Sequence, residues 1–420
     1  MSQNPFKRTK LACYAAYFTM STISTLPPLL FVTLREMYGV SYTLLGTLVL
    51  INFCTQLTVD MIFTLFSKHF NIHKTVKIMP LITSVGLVIY ALTPMLFPEY
   101  AYIGLVIGTV IFSVSAGLSE VLLSPVIAAI PSETPQRDMS LLHSLYAFGV
   151  VTVVVVSTVC LKIFGTENWM YLTLFLALWP VLASVLFMTS PLPDMHAGEG
   201  MQMQKTGGRK RIIGIALCAG CIFFGSCAEN NMSNWISGFV ENALYIDKSL
   251  GDIFGTAMFA VLLGLARIGY ARFGKNIGQA LLWGMAGAAV CYITVSLTSN
   301  TVVAFVACVF TGFVTAMLWP GALILMEENV PGAGVAAYAL MAASGDLGAA
   351  VAPQLMGIVV DQVSSRPWAA QLGASVGLTA EQIGMKTGML VNGVFPVVGV
   401  VVLMVTIRYF RAWKRESMIS

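Results

Sequence analysis

The sequence predicts an all-α integral membrane protein whose twelve transmembrane helices form two pseudo-symmetric six-helix bundles. Of its 420 residues, 57% are hydrophobic and only 10% are charged, whereas soluble domains carry about 25% charged residues. The hydrophobic residues also form uninterrupted runs long enough to cross a bilayer, which takes about 18 residues or more. A long polar stretch interrupts these runs near the middle of the chain. The composition excludes a soluble enzyme, and the solid hydrophobic runs exclude a β-barrel, whose strands alternate in polarity.

The twelve predicted helices follow the hydrophobic runs in chain order. They cover residues 11–34, 44–66, 76–97, 101–127, 140–164, 168–189, 212–240, 251–271, 277–297, 301–326, 333–361 and 387–410. The polar stretch at 190–211 contains Pro, Gly, Gln and a basic cluster. It predicts a cytoplasmic linker between an N-terminal bundle at 1–189 and a C-terminal bundle at 212–420.

The positive charges predict how the chain is oriented. With the N-terminus inside, all but five of the 23 Lys and Arg residues fall on the cytoplasmic side. The five exceptions are Arg35, Lys162, Lys248, Arg366 and Lys386. Because cytoplasmic loops of membrane proteins are enriched in Lys and Arg, we expect both termini in the cytoplasm.

An internal duplication supports the division into two halves. The fourth span contains GLSEVLLSP from Gly117 to Pro125, and the tenth contains GFVTAMLWP from Gly312 to Pro320, with the same step from Gly to Pro. Paired halves with broken or small-residue helices at matching positions are typical of secondary transporters, which bind their solute between the halves near the midplane. The duplication therefore predicts such a site here.

Four carboxylates lie within the predicted spans, where ionisable groups are costly and usually functional. They are Asp60, Glu120, Glu229 and Asp346, and Arg267 is the one basic residue that could lie at similar depth. A carboxylate buried without a cation can hold and release a proton near neutral pH. We therefore expect Glu120, Glu229 and Asp60 to be proton-coupling candidates; a structural role in holding helices together is the alternative.

Amide and aromatic side chains supply the candidates for substrate binding. The seventh span reads AENNMSNWISGF from Ala228 to Phe239, and a helix places most of its polar residues on one broad face. These amides would suit a hydroxylated ligand, or would instead hydrogen-bond between helices. The candidates are Asn52, Gln56, Ser124, Asn230, Asn231, Asn234, Trp235 and Trp319.

Other kinds of site are not indicated. The eight cysteines lie within hydrophobic runs and are interpreted as core residues, so neither a disulfide framework nor a metal site is expected. The sequence has no GxxxxGK[ST] phosphate loop and no HExxH motif. We expect no enzymatic activity, no cofactor and no nucleic-acid partner.

Two six-helix sets, a basic central linker and these motifs resemble the major facilitator superfamily over essentially the whole chain. The stretch GLSEVLLSPVIAAIP followed by LLHSLYAFG is similar to the fourth and fifth spans of the fucose permease group of bacterial sugar carriers. In that group a glutamate five residues before a proline handles protons and substrate, and the resemblance implies this role for Glu120 before Pro125. The first span lacks the acid that fucose permeases carry there. The resemblance also implies a bacterial plasma membrane location and a monomer.

The superfamily also has a basic loop motif between its second and third spans, which helps to latch one state. Here Lys68 stands where the motif has its acid, while the second copy keeps Arg267 and Arg272. These three residues and Asp346 are the gating candidates, although packing is the favoured interpretation for Asp346. The fifth span lacks the GxxxGPxxGG pattern of drug–proton antiporters, which favours uptake.

We therefore expect proton-coupled uptake of a small neutral hydroxylated solute, such as a monosaccharide, by alternating access. The alternatives are a proton-driven efflux antiporter for amphipathic compounds and a membrane solute sensor that does not transport.

Overall fold

A computed structural model describes residues 6–66, 69–132, 135–193, 208–330 and 334–419, and the described residues are almost entirely helical. The helices are α1 (Lys7–Leu29), α2 (Phe31–Tyr38), α3 (Tyr42–Phe66), α4 (Ile72–Leu96), α5 (Ala101–Ala129), α6 (Pro135–Phe164), α7 (Trp169–Leu176), α8 (Leu178–Met188), α9 (Arg209–Asn242), α10 (Lys248–Leu250), α11 (Met258–Phe273), α12 (Ile277–Leu297), α13 (Thr301–Thr315), α14 (Leu318–Asn329), α15 (Gly334–Ser364), α16 (Pro367–Val376), α17 (Ala380–Asn392) and α18 (Val394–Ile419). A π-helical segment, Gly251–Ala257, joins α10 to α11.

Every predicted span coincides with one helix or with consecutive helices. Among the described residues, ten helical segments are long and apolar enough to cross a membrane, and α1 and α2 together form an eleventh that is bent by 49°. The fifth predicted span lies on α6, whose apolar part is Phe148–Phe164. The prediction of an all-α membrane fold is confirmed.

Four predicted spans are each divided into two helices: the first at the bend between α1 and α2, and three others at a break that a proline explains. Pro180, Pro320 and Pro396 lie just after the breaks between α7 and α8, α13 and α14, and α17 and α18. Proline has no backbone N–H and clashes with the preceding turn, so the helix is interrupted in the turn before it. The sequence pattern predicted continuous spans because the apolar residues run through the breaks.

The short helix α16 was not predicted. Its ten residues, PWAAQLGASV, are too few to cross a membrane. Pro367 occupies its first turn, and Gly377, with φ +72°, ends it in the left-handed conformation that favours glycine.

Contacts divide the chain into two compact units. The first contains 1–40 and 51–199, and the second contains 41–50 and 200–420. Helix α3 therefore begins in the second unit and continues into the first from Ile51. The predicted bundle limits of 1–189 and 212–420 assign residues 41–50 differently, and that division of the chain stays a prediction.

Each unit has its own apolar core. In the first unit, α1, α4, α5 and α8 contribute fully buried residues such as Cys13, Met79, Leu123 and Phe187. In the second unit, Ile222, Met285, Ala322 and Leu403 join α9, α12, α14 and α18 in the same way. The polar side chains described next lie on the helices that these cores hold in place.

Candidate functional site

The polar stripe of α3 in the first unit is directed at α5. The hydroxyl of Ser113 on α5 donates a hydrogen bond of 2.6 Å to Oδ1 of Asn52. Gln56 donates to the same oxygen through Nε2 at 3.0 Å. Asn52 is buried and Gln56 is half-buried. The bond from Ser113 joins α5 to α3, which agrees with a role in contact between helices, whereas the bond from Gln56 lies within α3.

One turn further along α3, Asp60 lies against a glycine of α5. A Cβ atom at Gly117 would be 3.1 Å from Asp60 Oδ1, so the missing side chain allows the carboxylate to approach the helix. Asp60 Oδ1 is buried and has no hydrogen-bond partner among the described residues. Oδ1 of this carboxylate therefore lies against the α5 backbone, with no hydrogen-bond donor from the part of the chain that the structure describes.

Glu120 lies one turn beyond Gly117 on α5, close enough to Asp60 and to the Tyr17 hydroxyl to influence both electrostatically. Its side chain is exposed, whereas Asp60 is half-buried. Neither carboxylate forms an ion pair with a described residue. The structure thus brings together two of the three proton-coupling candidates, and one of them is open to its surroundings.

Ser124 lies on α5 one turn after Glu120 and is half-buried. Nearby helices of the same unit contribute further hydroxyl groups: Ser24 of α1 and Tyr146 of α6 share a hydrogen bond of 2.9 Å. Tyr17 and Tyr146 stand in apolar runs of the sequence, and only the tertiary fold places the Tyr17 hydroxyl near Glu120.

In the second unit, two asparagines of α9 use their amide nitrogens within their own helix. Asn230 Nδ2 donates to the backbone oxygen of Ser226 at 3.2 Å and to its hydroxyl at 3.1 Å. Asn234 Nδ2 donates to the backbone oxygen of Asn230 at 2.8 Å. Their Oδ1 atoms accept no hydrogen bond from a described residue. They remain acceptors for a ligand that carries hydroxyl groups.

The other two predicted residues of this helix are packed inside the second unit. Asn231 is fully buried, and its Nδ2 donates to the hydroxyl of Tyr292 at 3.2 Å. Trp235 is 1% exposed, and its Nε1 donates to the backbone oxygen of Pro353 at 3.1 Å. An indole held in this way has no free face for stacking on a sugar ring, so we omit Trp235 from the binding set proposed below.

Glu229 has a basic partner that the sequence analysis did not assign to it. Arg267 Nη2 lies 3.3 Å from Glu229 Oε1, and Arg267 Nε donates to the backbone oxygen of Ala316 at 2.9 Å. Ala316 precedes Pro320 by four residues, so the missing N–H of the proline leaves this oxygen free to accept. Glu229 Oε2 is buried without a partner among the described residues. The carboxylate is compensated on one oxygen and unsatisfied on the other.

The remaining candidates are dispersed. Trp319 is half-buried and packs so closely on α15 that a Cβ at Gly345 would be 2.3 Å from its ring. Asp346 is buried at 6% exposure. Arg272 is exposed, with its guanidinium carbon 5.5 Å from the centre of the Phe273 ring. Lys68 lies outside the described residues. Arg267, another gating candidate, was predicted from a loop motif, but its side chain binds the Ala316 oxygen at the break between α13 and α14.

A cavity of about 480 Å³ lies where α6 meets α7 in the first unit. Its lining consists of Cys160, Leu161, Phe164, Gly165, Asn168, Tyr171, Leu172 and Phe175, and it includes none of the predicted site residues. Within the described parts of the chain, no group of three His, Cys, Asp or Glu side chains could hold a metal ion. Most of the predicted site residues lie on α3, α5 and α9.

Comparison with solved structures relates the fold to known transporters. A bacterial homologue of the human lysosomal transporter Spinster matches with a TM-score of 0.78 and 13% identity, covering 98% of this chain and 99% of that one. A D-xylose–proton symporter matches with a TM-score of 0.74 and 16% identity over 93% and 97% of the two chains. The nucleoside transporter NupG matches with a TM-score of 0.69 and 14% identity over 97% and 100%. At these identities the matches establish the fold.

The sequence comparison identifies the family directly. No curated protein sequence matches the chain. The profile of the Major Facilitator Superfamily, however, matches residues 12–353, which is most of the chain. The helical membrane fold and the structural matches agree with this assignment. The chain therefore belongs to the Major Facilitator Superfamily, whose members are secondary transporters that work by alternating access.

Proposed function

We propose that this transporter takes up a small neutral hydroxylated solute, such as a monosaccharide, together with a proton. The observation that carries the proposal is the pairing of Asp60 with Glu120 in the first unit, where neither has an ion-pair partner among the described residues. Two carboxylates that repel each other and lack a cation share a proton readily. Such a pair is suited to carry one proton in each cycle.

Within this proposal the two acids have different roles. Glu120 is exposed and exchanges the proton with its surroundings, whereas Asp60, whose Oδ1 is buried against Gly117, holds the second position of the pair. Protonation removes the repulsion between them and lowers the cost of enclosing the pair. Loading of a proton is thereby coupled to a change in the exposure of the site.

The second unit supplies acceptors for the solute. The Oδ1 atoms of Asn230 and Asn234 are available to hydroxyl donors, and Glu229 Oε2 lacks a partner. Because Arg267 compensates the charge of Glu229, we assign this acid to substrate binding in preference to proton transfer. A polyhydroxylated solute supplies several donors at once, and one matched fold is that of a D-xylose–proton symporter, which adds support to this choice.

The test is the pH of the medium around lightly buffered, de-energised cells that contain the protein, while sugars, polyols and amino acids are added in turn. We expect one class of hydroxylated solute to make the medium alkaline. Glu120→Gln should abolish the response because an amide cannot carry the proton. Glu99→Gln, which changes an exposed acid beyond the end of α4, should leave the response intact.

Three results would contradict the proposal. They are retained alkalinisation in Glu120→Gln, uptake that depends on sodium and leaves the pH unchanged, and silence across the whole panel in cells that contain the folded protein. Silence accompanied by extrusion of hydrophobic cations would support efflux instead.

A further inference from the structure

The first turn of α3 is capped by a carboxylate from another helix of the second unit. The backbone N–H groups of Tyr42 and Thr43 donate to the two oxygens of Asp361 on α15, at 3.1 and 2.6 Å. The Ser41 hydroxyl accepts from the Leu44 N–H at 3.2 Å. The first N–H groups of a helix have no partner in the helix, and a negative charge is favoured beside them. Helix α15 therefore supplies most of this cap.

The side chain of Tyr42 occupies a specific seat next to the cap. It is 1% exposed. Its hydroxyl donates to the carboxylate of Glu381 on α17 and accepts from Asn242 Nδ2 at 3.1 Å. Its ring centre lies 5.7 Å from that of Trp235. Because both the ring and the hydroxyl have partners, this position favours tyrosine over other side chains.

The backbones of α3 and α15 approach each other closely at a glycine. A Cβ at Gly357 would be 2.2 Å from the backbone oxygen of Tyr42 and 3.1 Å from the backbone nitrogen of Thr43. The Thr43 hydroxyl also donates to the backbone oxygen of Gly357, at 3.5 Å. Any larger residue at this position would push the start of α3 away, so the contact depends on the absence of a side chain.

We propose that Tyr42, Asn242, Gly357, Asp361 and Glu381 form a reversible outer gate, which we name the α3 latch. It rests on the proposed transport cycle and on the predicted orientation, which puts the start of α3 at the outer face. Residues 41–50 belong to the second unit, whereas α3 continues in the first unit from Ile51. Release of the latch frees the start of α3 to move with the rest of its helix.

The chemistry of the latch suits a contact that opens and closes. Its polar groups lie at the ends of helices, where water at the membrane surface can replace each lost partner. The same groups at the bilayer centre would have no replacement. The cap therefore stabilises the closed state without making the open state prohibitive.

Electron spin resonance distances within the second unit test the latch in the full-length protein, reconstituted in lipid nanodiscs without added solute. The parent has Cys54 and Cys160, the two cysteines outside the buried core, changed to Ser. It carries spin labels on cysteines at Leu44 and Val376, both exposed. We expect two distances in the parent, corresponding to the closed and the released latch.

Asp361→Ala should raise the ratio of the long to the short population by about fivefold to tenfold, the effect of losing a helix cap, and Gly357→Ala should raise the same ratio. The two variants act differently, one by removing the cap and one by adding a methyl group. Gly269→Ala is the matched control, because a Cβ at Gly269 meets nothing within 4 Å. It should leave the two populations unchanged.

A single short distance in the parent would overturn the latch, since a purely structural cap leaves α3 attached throughout. An equal shift in Gly269→Ala would also overturn it, because it would indicate general loosening. Neither readout requires a solute. The experiment therefore tests the latch independently of the choice of sugar and of the proton role of Glu120.

Discussion

The helix that carries Asn230 and Asn234 determines which atoms of their side chains remain available to a ligand. Each turns its amide nitrogen toward backbone oxygen one turn earlier, which leaves Oδ1 as an acceptor. Asn231, between them in sequence, points into the unit and bonds Tyr292. The sequence predicts one polar face on α9. In the structure, some of its residues are available to a ligand and others join helices.

Replacing Asn230 or Asn234 by alanine should raise the half-saturating concentration of the transported solute by about fivefold to tenfold, the effect of losing one hydrogen bond of about 1 kcal/mol. The measurement is the initial rate of solute-dependent alkalinisation against solute concentration. Asn329→Ala is the control, because Asn329 makes the same bond to its own helix, at 2.8 Å to the Leu325 oxygen, on α14. Unchanged half-saturation in both α9 variants would remove these oxygens from the site.

At the scale of helices, prolines and glycines determine the local geometry. The break between α13 and α14 leaves the Ala316 oxygen without its usual donor, and Arg267 supplies one while pairing with Glu229. Arg267, which the sequence analysis assigned to a loop motif, thus links α11 to α9 and to the break between α13 and α14. Close packing of α4 on α5 depends in the same way on glycines.

Gly108→Ala should lower stability by about 1–3 kcal/mol, because it overpacks the contact between α4 and α5. The added Cβ would lie 2.7 Å from Tyr90 Cβ and 2.8 Å from the Gly86 oxygen. Thermal unfolding in detergent measures the loss. Gly264→Ala, where a Cβ meets nothing within 4 Å, reports the gain in helix propensity alone. Equal unfolding temperatures for the two variants would contradict the role of the Gly108 contact.

For the whole molecule, the distribution of Lys and Arg makes a prediction about orientation. Cysteines introduced at Glu99 and at Lys275, both exposed, should lie on opposite sides of the membrane. In the background with Cys54→Ser and Cys160→Ser, a membrane-impermeant maleimide should label position 99 in intact cells. It should label position 275 only after permeabilisation. The reverse pattern would show that the positive-inside interpretation is wrong.

The sequence by itself determined the fold class and where its apolar helices lie, because a bilayer requires long apolar helices wherever the chain crosses it. It also indicated the polar residues within spans, since such residues are rare enough to be noticed. It missed α16, which is too short to span, and the helix breaks, through which the apolar pattern continues.

Only the tertiary structure decided which polar residues meet. It placed Asp60 beside Gly117 and Glu120, gave Glu229 a partner in Arg267, buried Trp235 and seated Tyr42 on α15 and α17. These relations join residues that are distant in sequence. Hydropathy and periodicity describe one helix at a time, whereas the partner of a side chain depends on how helices pack against each other.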